Sequence, residues 1–327
     1  MHIPHGVLSP TTAIVTEILG AAGLGAGLWA LRGKERDRTT ARMGMTGAFL
    51  FAAQMVNFQL YPLPISGHLL GGVLAAVILG PWAGSVVIAA VLIVQCLLFG
   101  DGGLDALGAN FINMGLIGST IGHAIYAPLR RAIGGRRGIL LASMAAAWVT
   151  VILGATAFAI EFAASGHFQE FVPVLGWMLL AHAGIGVGEA LITGGIVRFV
   201  LLSRPELLDD ETTAAEAAQT PVGRHLQTAV AGLAVACAVA IFLAPFASRF
   251  DDGLEWVGQK TGLIEEKPSP LRAPIPDYEF PGVPKYATAA AGLVGTLVVF
   301  TVGMALARVF ARPIEVAVSE GMPSHAA

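Results

Sequence analysis

Charge is what this chain lacks. Of its 327 residues only 13% are Asp, Glu, Lys or Arg, while 55% are hydrophobic and the mean hydropathy is +0.72. A water-soluble domain carries about a quarter charged residues, so an aqueous globular fold is excluded. Cysteine is scarce too: Cys96 and Cys237 each lie inside an apolar run, which argues against a disulfide framework. No stretch interleaves basic and aromatic residues as a nucleic-acid surface does, so nucleic acid is excluded as a partner. Nor is there a phosphate-binding loop. The nearest approach, "VGQKTG" at 257–262, lacks the glycine before Lys260. Without a nucleophile elbow or paired carboxylates on one face, the chain does not read as an enzyme. Positions 1–10 lack a basic region and a cleavage site, which predicts a mature chain starting close to Met1.

What fills the chain instead is long apolar runs such as "GGVLAAVILG" and "VVIAAVLIVQCLLFG". A bilayer core requires apolar segments of about 17–25 residues. The expected fold is therefore all-α and polytopic, a membrane protein of about nine transmembrane helices with the lipid bilayer as its solvent. The spans fall near 11–31, 43–60, 67–80, 83–99, 105–129, 138–163, 171–201, 227–247 and 286–310. The third is short and parted from the fourth by "GPWAG", where Pro81 and its flanking glycines end one helix and begin the next.

Basic residues sort by connection. Arg32, Lys34, Arg36, Arg38 and Arg42 follow the first span; Arg130, Arg131, Arg136 and Arg137 follow the fifth. Arg198, Arg204 and Arg224 follow the seventh, and Arg308 and Arg312 close the ninth. Arg249, Lys260, Lys267, Arg272 and Lys285 fall in a long connection, which crosses a membrane regardless of charge. This distribution predicts a cytoplasmic membrane protein with its amino terminus outside and its carboxy terminus inside. The polar, acidic stretch 203–226, with Pro205 and Pro221, reads as a cytoplasmic linker. It divides a seven-helix unit, 1–202, from a two-helix unit, 227–327, which carries an external loop at 248–285. No internal repeat suggests an inverted-repeat secondary transporter.

Two imidazoles open the chain, in "MHIPHG". The amine of Met1, the amide of His2 and the His2 Nδ1 can close five- and six-membered chelate rings on one metal. Ni²⁺ and Cu²⁺ suit such tetragonal nitrogen sites. Pro4 restricts Ile3 to extended backbone and turns the chain away from the chelate. The plain alternative is a solvated histidine, and for His2 taken alone it prevails. His68 in "PISGHLLGG" shifts the balance, because an imidazole at the edge of a transmembrane helix reads as functional. Gly67, Gly71 and Gly72 let another segment approach it. Met1, His2 and His68 together supply four nitrogens.

These residues carry a resemblance. "MHIP" with "G-LS" close behind, "SGHLLGG", "LGPWAGS" and "QCLLFGDGGLDALGANFINMG" resemble the CbiM/NikM family over about 200 residues. That family comprises the substrate-binding membrane subunits of energy-coupling-factor transporters for cobalt and nickel. The resemblance implies Met1, His2 and His68 as metal ligands and Ni²⁺ or Co²⁺ as the transported substrate, with no catalytic cofactor. It implies, as partners, a transmembrane coupling subunit and cytoplasmic ATPase subunits. "FASRFDDGLEWV" and "PIPDYEFPGV" resemble the family's two-span PDGLE partner, fused here, with Asp251 where the family usually has proline. Such fusion favours nickel. His5 stands where the family usually has an acidic residue; capture ligand, donor to a ligand and tolerated polar residue remain open. Ser66 is either a partner of an imidazole or a helix cap.

Other polar residues read as structure. Asp101 belongs to a turn, Asp105 sits near a helix start, and Asn110 and Asn113 hydrogen-bond within the bundle. His123, His182 and Glu189 lie inside spans, as substrate contacts or interior polar groups. Two other classes stay in view: a membrane metal sensor that translocates nothing, and a metalloenzyme, against which a filled four-nitrogen plane argues.

Overall fold

The computed structural model describes residues 1–208, 222–264, 267–280, 282–283 and 286–313, and of 222–224 the backbone alone. The first helix, α1 (Pro10–Leu31), starts where the chain offers a cap: the Ser9 hydroxyl accepts from the Thr12 amide and proline takes the first helical position. The Glu35 carboxylate caps α2 (Arg36–Gln54), accepting from the Asp37 and Arg38 amides at 2.7 Å each. A two-residue antiparallel ladder follows, β1 (Phe58–Gln59) against β2 (Ser66–Gly67), and then a short α3 (Gly72–Leu79). Gly80, at φ +85°, turns the chain into α4 (Pro81–Val94), which continues as a π-helical turn, Gln95–Phe99. A 3-10 turn (Leu104–Ala106), α5 (Leu107–Asn110), a π-helical stretch (Phe111–Ile121) and α6 (Gly122–Ile133) run on without a break. After them come α7 (Gly135–Ala164), α8 (Phe171–Ser203), α9 (Val222–Phe242), α10 (Gly253–Thr261) and α11 (Ala287–Phe310).

Six helical segments among the described residues are long and apolar enough to cross a membrane. They are Pro10–Leu31, Pro81–Phe99, Gly135–Ala164, Phe168–Ser203, His225–Phe246 and Ala287–Phe310. The other three expected spans contain helix but differ. α2 opens with Arg36, Asp37, Arg38 and Arg42, and the fifth segment changes helical type along its length. The expected third span, 67–80, needs correction. Residues 66–67 pair as strand, 68–71 are irregular, and α3 has only eight residues, about 12 Å of helix against a hydrocarbon core of about 30 Å. Gly71, at φ +75°, stops helix from extending back to His68. Most of the expected linker, 209–221, and the stretch 314–327 lie outside the described residues, as do Lys285 and the Arg224 side chain.

Packing follows from side-chain size. α4 is enclosed by α1, α2, α3 and the π-helical stretch. Gly72 and Gly118 let α3 meet that stretch backbone to backbone, since a Cβ on Gly72 would stand 2.6 Å from the Gly118 Cα. α7 and α8 pack along each other, and α9 and α11 both lie against α2. α1 instead exposes Ile14, Val15, Ile18 and Leu19, an apolar face for lipid. The segment after α9 does not project as a free loop. The Ser248 amide donates to the Asn57 carbonyl, the Ser66 amide to Asp251 and the Ile275 amide to Leu98. These bonds seat residues 248–264 and 267–280 on the end of the bundle where the chain begins.

Candidate metal centre

The first six residues are inserted into the bundle, with Met1 and Ile3 buried. Their backbone is gripped by side chains. The Ile3 amide donates to Asn110 Oδ1 at 2.8 Å, and the Ile3 carbonyl accepts from Asn110 Nδ2 at 3.2 Å and the Gly103 amide at 2.8 Å. The Met1 side chain lies against Gly154 of α7. The chain turns at Gly6, whose φ is +79° and whose amide donates to Asp105 Oδ2 at 3.0 Å. Pro4 is therefore not the turn.

The donor nitrogens gather at the inner end of this segment. The Met1 amine stands 3.2 Å from His68 Nε2 and makes an ion pair with Asp252. Asp252 is the N-cap of α10. Its Oδ1 accepts from the Leu254 and Glu255 amides at 2.8 and 3.0 Å, leaving Oδ2 for the amine. His68 Nδ1 lies 3.1 Å from the Leu69 carbonyl. A carbonyl only accepts, so Nδ1 carries the proton and the Nε2 lone pair faces the amine. Burial, helped by the positive amine and by His2, lowers the His68 pKa to about 3, which keeps the ring neutral and able to bind a metal.

The His2 ring lies 5.3 Å from the His68 ring, centroid to centroid, and its Nδ1 is 2.5 Å from Asp101 Oδ1. The Tyr278 hydroxyl donates to Asp101 Oδ2 at 2.6 Å, its ring stacked on Phe99 with centroids 4.6 Å apart. Asp277 and Tyr278 both have positive φ, 54° and 57°, a strained pair that the hydroxyl contact and the stacking hold in place. Burial alone would raise the Asp101 and Asp252 carboxyls. The His2 ring and Tyr278 hydroxyl at one, and the amine at the other, more than offset it and hold both below the usual range. A cavity of about 10 Å³, room for one water-sized sphere, lies among Met1, His68, His182 and Asp252.

Met1, His2 and His68 are thus brought together, His68 from a loop rather than from a helix edge. His5 is not with them. Its Nδ1 pairs with Asp105 Oδ1 at 2.8 Å, and its carbonyl accepts from the Lys267 amide at 3.0 Å. Ser66 is neither a helix cap nor a partner of an imidazole: it sits in β2 and its hydroxyl donates to the Phe250 carbonyl at 2.7 Å. Asp101 stands in a turn between Gly100 and Gly102, both of positive φ, and Asp105 at the start of a helical segment, as expected; beyond that they hold His2 and the Gly6 amide.

Asp252 and Tyr278 carry no signal in the sequence, because nothing local in "DDGLE" or "PDYEF" says which distant atom each meets. His182 bonds the Met178 carbonyl through Nδ1 at 2.9 Å, leaving Nε2 buried without a partner beside the cavity. Gly253 makes room for that ring, since a Cβ there would stand 2.8 Å from it. Among the described residues no three His, Cys, Asp or Glu side chains converge as metal ligands. A metal held here would have to use main-chain nitrogen, which the amine of Met1 and the amide of His2 supply.

Residues 2–207 match the family described as cobalt uptake substrate-specific transmembrane region, CbiM, and residues 226–312 match the PDGLE domain. The putative fused nickel transport protein NikMN of Archaeoglobus fulgidus is 35% identical over 316 residues, covering 94% of this chain and 98% of that protein. The fused nickel transport protein NikMN of Rhodobacter capsulatus is 34% identical over 264 residues, covering 75% of this chain and 73% of its own. A crystal structure of a truncated transition metal transporter aligns at a TM-score of 0.55 and 31% identity, over 62% of this chain and 99% of the other. With a family match over more than half its length and several apolar helices of spanning length, this chain belongs to the CbiM family of membrane-embedded cobalt-uptake proteins, joined in one polypeptide to a PDGLE domain.

Proposed function

We propose that this chain is the substrate-capture component of an ATP-driven energy-coupling-factor importer, taking up Ni²⁺ or Co²⁺ with nickel as the leading substrate. The observation that carries this reading is the buried Met1 amine facing a neutral His68 Nε2 at 3.2 Å. The metal would take the Met1 amine, the His2 amide, the His2 Nδ1 and His68 Nε2. To bind, the amine would give up a proton and its ion pair with Asp252, the metal would displace the His2 amide proton, and an unprotonated His2 Nδ1 would leave Asp101. Four nitrogens near one plane suit Ni²⁺, and the two relatives named as fused nickel transport proteins support nickel over cobalt.

In the same reading residues 1–202 form the metal-binding unit, 203–226 a cytoplasmic linker and 227–327 the two-helix partner. The basic residues around 32–42 and 130–137 support an amino terminus outside the cytoplasmic membrane. With no phosphate-binding loop in the chain, ATP hydrolysis falls to cytoplasmic subunits acting through a transmembrane coupling subunit. The test is an absorption titration with Ni²⁺ and with Co²⁺ on purified protein whose free Met1 amine is established by intact mass. His2→Ala and His68→Ala are each expected to abolish tight binding; wild-type affinity in either variant would refute the site. Uptake of labelled nickel in cells that also express the coupling and ATPase subunits separates an importer component from a sensor.

A further inference from the structure

His68 is carried by backbone that is neither helix nor strand, residues 68–71, buried between α2 and α8. Irregular backbone that is buried persists only where its polar groups find partners within the protein. Here those partners are side chains. Glu189, on α8, accepts from the Leu70 amide at 2.6 Å through one oxygen and from the Gly71 amide at 2.9 Å through the other. Gln54 Nε2 donates to the Leu70 carbonyl at 2.9 Å, and Gln54 Oε1 accepts from Gln95 Nε2 at 2.9 Å.

Glu189 is 2% exposed inside an apolar helix, an expensive place for a carboxyl group. Gripping two successive amides fixes two successive peptide planes. The first of them joins Leu69 to Leu70, so the N–H that Glu189 holds and the carbonyl that meets His68 Nδ1 belong to one rigid group. Turning that plane turns the carbonyl away from the ring. The order of contact is Glu189, the Leu69–Leu70 peptide, His68 Nδ1, and then the Nε2 lone pair that faces the Met1 amine.

We propose that Glu189 is a positioning residue for the metal, setting the tautomer and direction of His68 through the Leu69–Leu70 peptide. The inference rests on the reading of His68 as a ligand. It goes beyond loop stability because it predicts an effect that exists only while His68 is present. Partners of this kind alter metal affinity by about 10- to 100-fold.

The test is a double-mutant cycle on the full chain, titrated with Ni²⁺ and followed by its absorption spectrum. Glu189→Gln keeps the volume but turns one acceptor into a donor that opposes an amide. It is expected to weaken Ni²⁺ binding by about 10- to 100-fold and to move the spectrum toward that of His68→Ala. In a His68→Ala background, read on the weaker Ni²⁺ binding that remains at high metal concentration, it should have no further effect, because contacts acting through one group are non-additive. Wild-type affinity in Glu189→Gln, or an equal loss in both backgrounds, would overturn the proposal. Wild-type affinity in His68→Ala would instead overturn the ligand reading on which it stands. If Glu189→Gln does not fold, Gln54→Ala carries the same cycle. It loosens the peptide between Leu70 and Gly71, with a several-fold loss expected only when His68 is present; an equal loss without His68 would again overturn the proposal.

Discussion

Two walls meet on the amino-terminal segment, and they hold different things. The bundle wall grips main chain: Asn110 and Gly103 hold Ile3, Asp105 holds Gly6, and Glu189 with Gln54 hold the loop that carries His68. The rim wall, from residues 248–264 and 267–280, reaches the donors themselves. Asp252 meets the Met1 amine, and Tyr278 reaches His2 through Asp101. Asn110 is 2% exposed, whereas the Asp252 and Asp101 side chains are 16% and 29% exposed. An unpaired polar group in the dry bundle costs about 1–3 kcal/mol, while ion pairs near water contribute less. Buried main-chain bonds therefore decide where the donors sit. The wetter contacts at the rim act on the charge those donors carry.

The largest blow to this arrangement is one extra residue before Met1, which turns the amine into an amide. Four-ligand metal sites contribute about 10–16 kcal/mol, so losing one ligand in four should weaken Ni²⁺ binding by about a hundredfold to a thousandfold. A titration of the extended protein checks it; unchanged affinity would show that the terminus is not a ligand and that neither wall matters to metal. Next comes Asn110→Leu, which strands the Ile3 amide in the bundle. The expected loss of Ni²⁺ affinity is roughly tenfold to a hundredfold.

Acidification should come third and should act through His68. Its folded pKa, lowered to about 3 by burial first and the nearby positive amine second, lies below the unfolded value of about 6.5. Its contribution is full above the unfolded value and is lost as pH falls from about 6.5 toward 3, because only the opened loop takes up the proton. Hydrogen-exchange protection of the amides at 66–71 should drop on the order of tenfold by pH 5. His68→Phe should flatten that slope. The smallest effect belongs to Tyr278→Phe, which removes one hydrogen bond to Asp101, the carboxylate that holds His2 Nδ1 before a metal would take it, and should change affinity by about a few-fold. A Tyr278→Phe loss larger than that of Asn110→Leu would reverse the ranking of the two walls.

Much of this architecture was legible beforehand. The apolar run predicts a final helix over 286–310, and the helix spans Ala287–Phe310, because twenty-odd apolar residues between polar ends leave few alternatives. The third span departs from its expected helix for the opposite reason. "PISGHLLGGVLAAVILG" is apolar apart from Ser66 and His68, but left-handed glycine at position 71 and a carboxyl group on α8 hold its first part out of helix. Met1, His2 and His68 stood out because their atom types suit one metal. Asp101 resembled any acidic turn residue, since its partner is 99 positions away.

Composition and local chemistry alone determined that this chain is helical, lives in a bilayer and opens on an amine, an amide and an imidazole spaced so that they can close chelate rings on one metal. Burial of apolar side chains and closure of chelate rings depend on atom types and on neighbours in the chain. Only the tertiary structure decided what surrounds the donors: Asn110 on the Ile3 backbone, Glu189 behind His68, and Asp252 of the PDGLE domain on the Met1 amine, 251 residues along the chain. Hydrogen bonds and ion pairs act over about 3 Å in space with no regard to distance in sequence, so those partners exist only once the helices have packed.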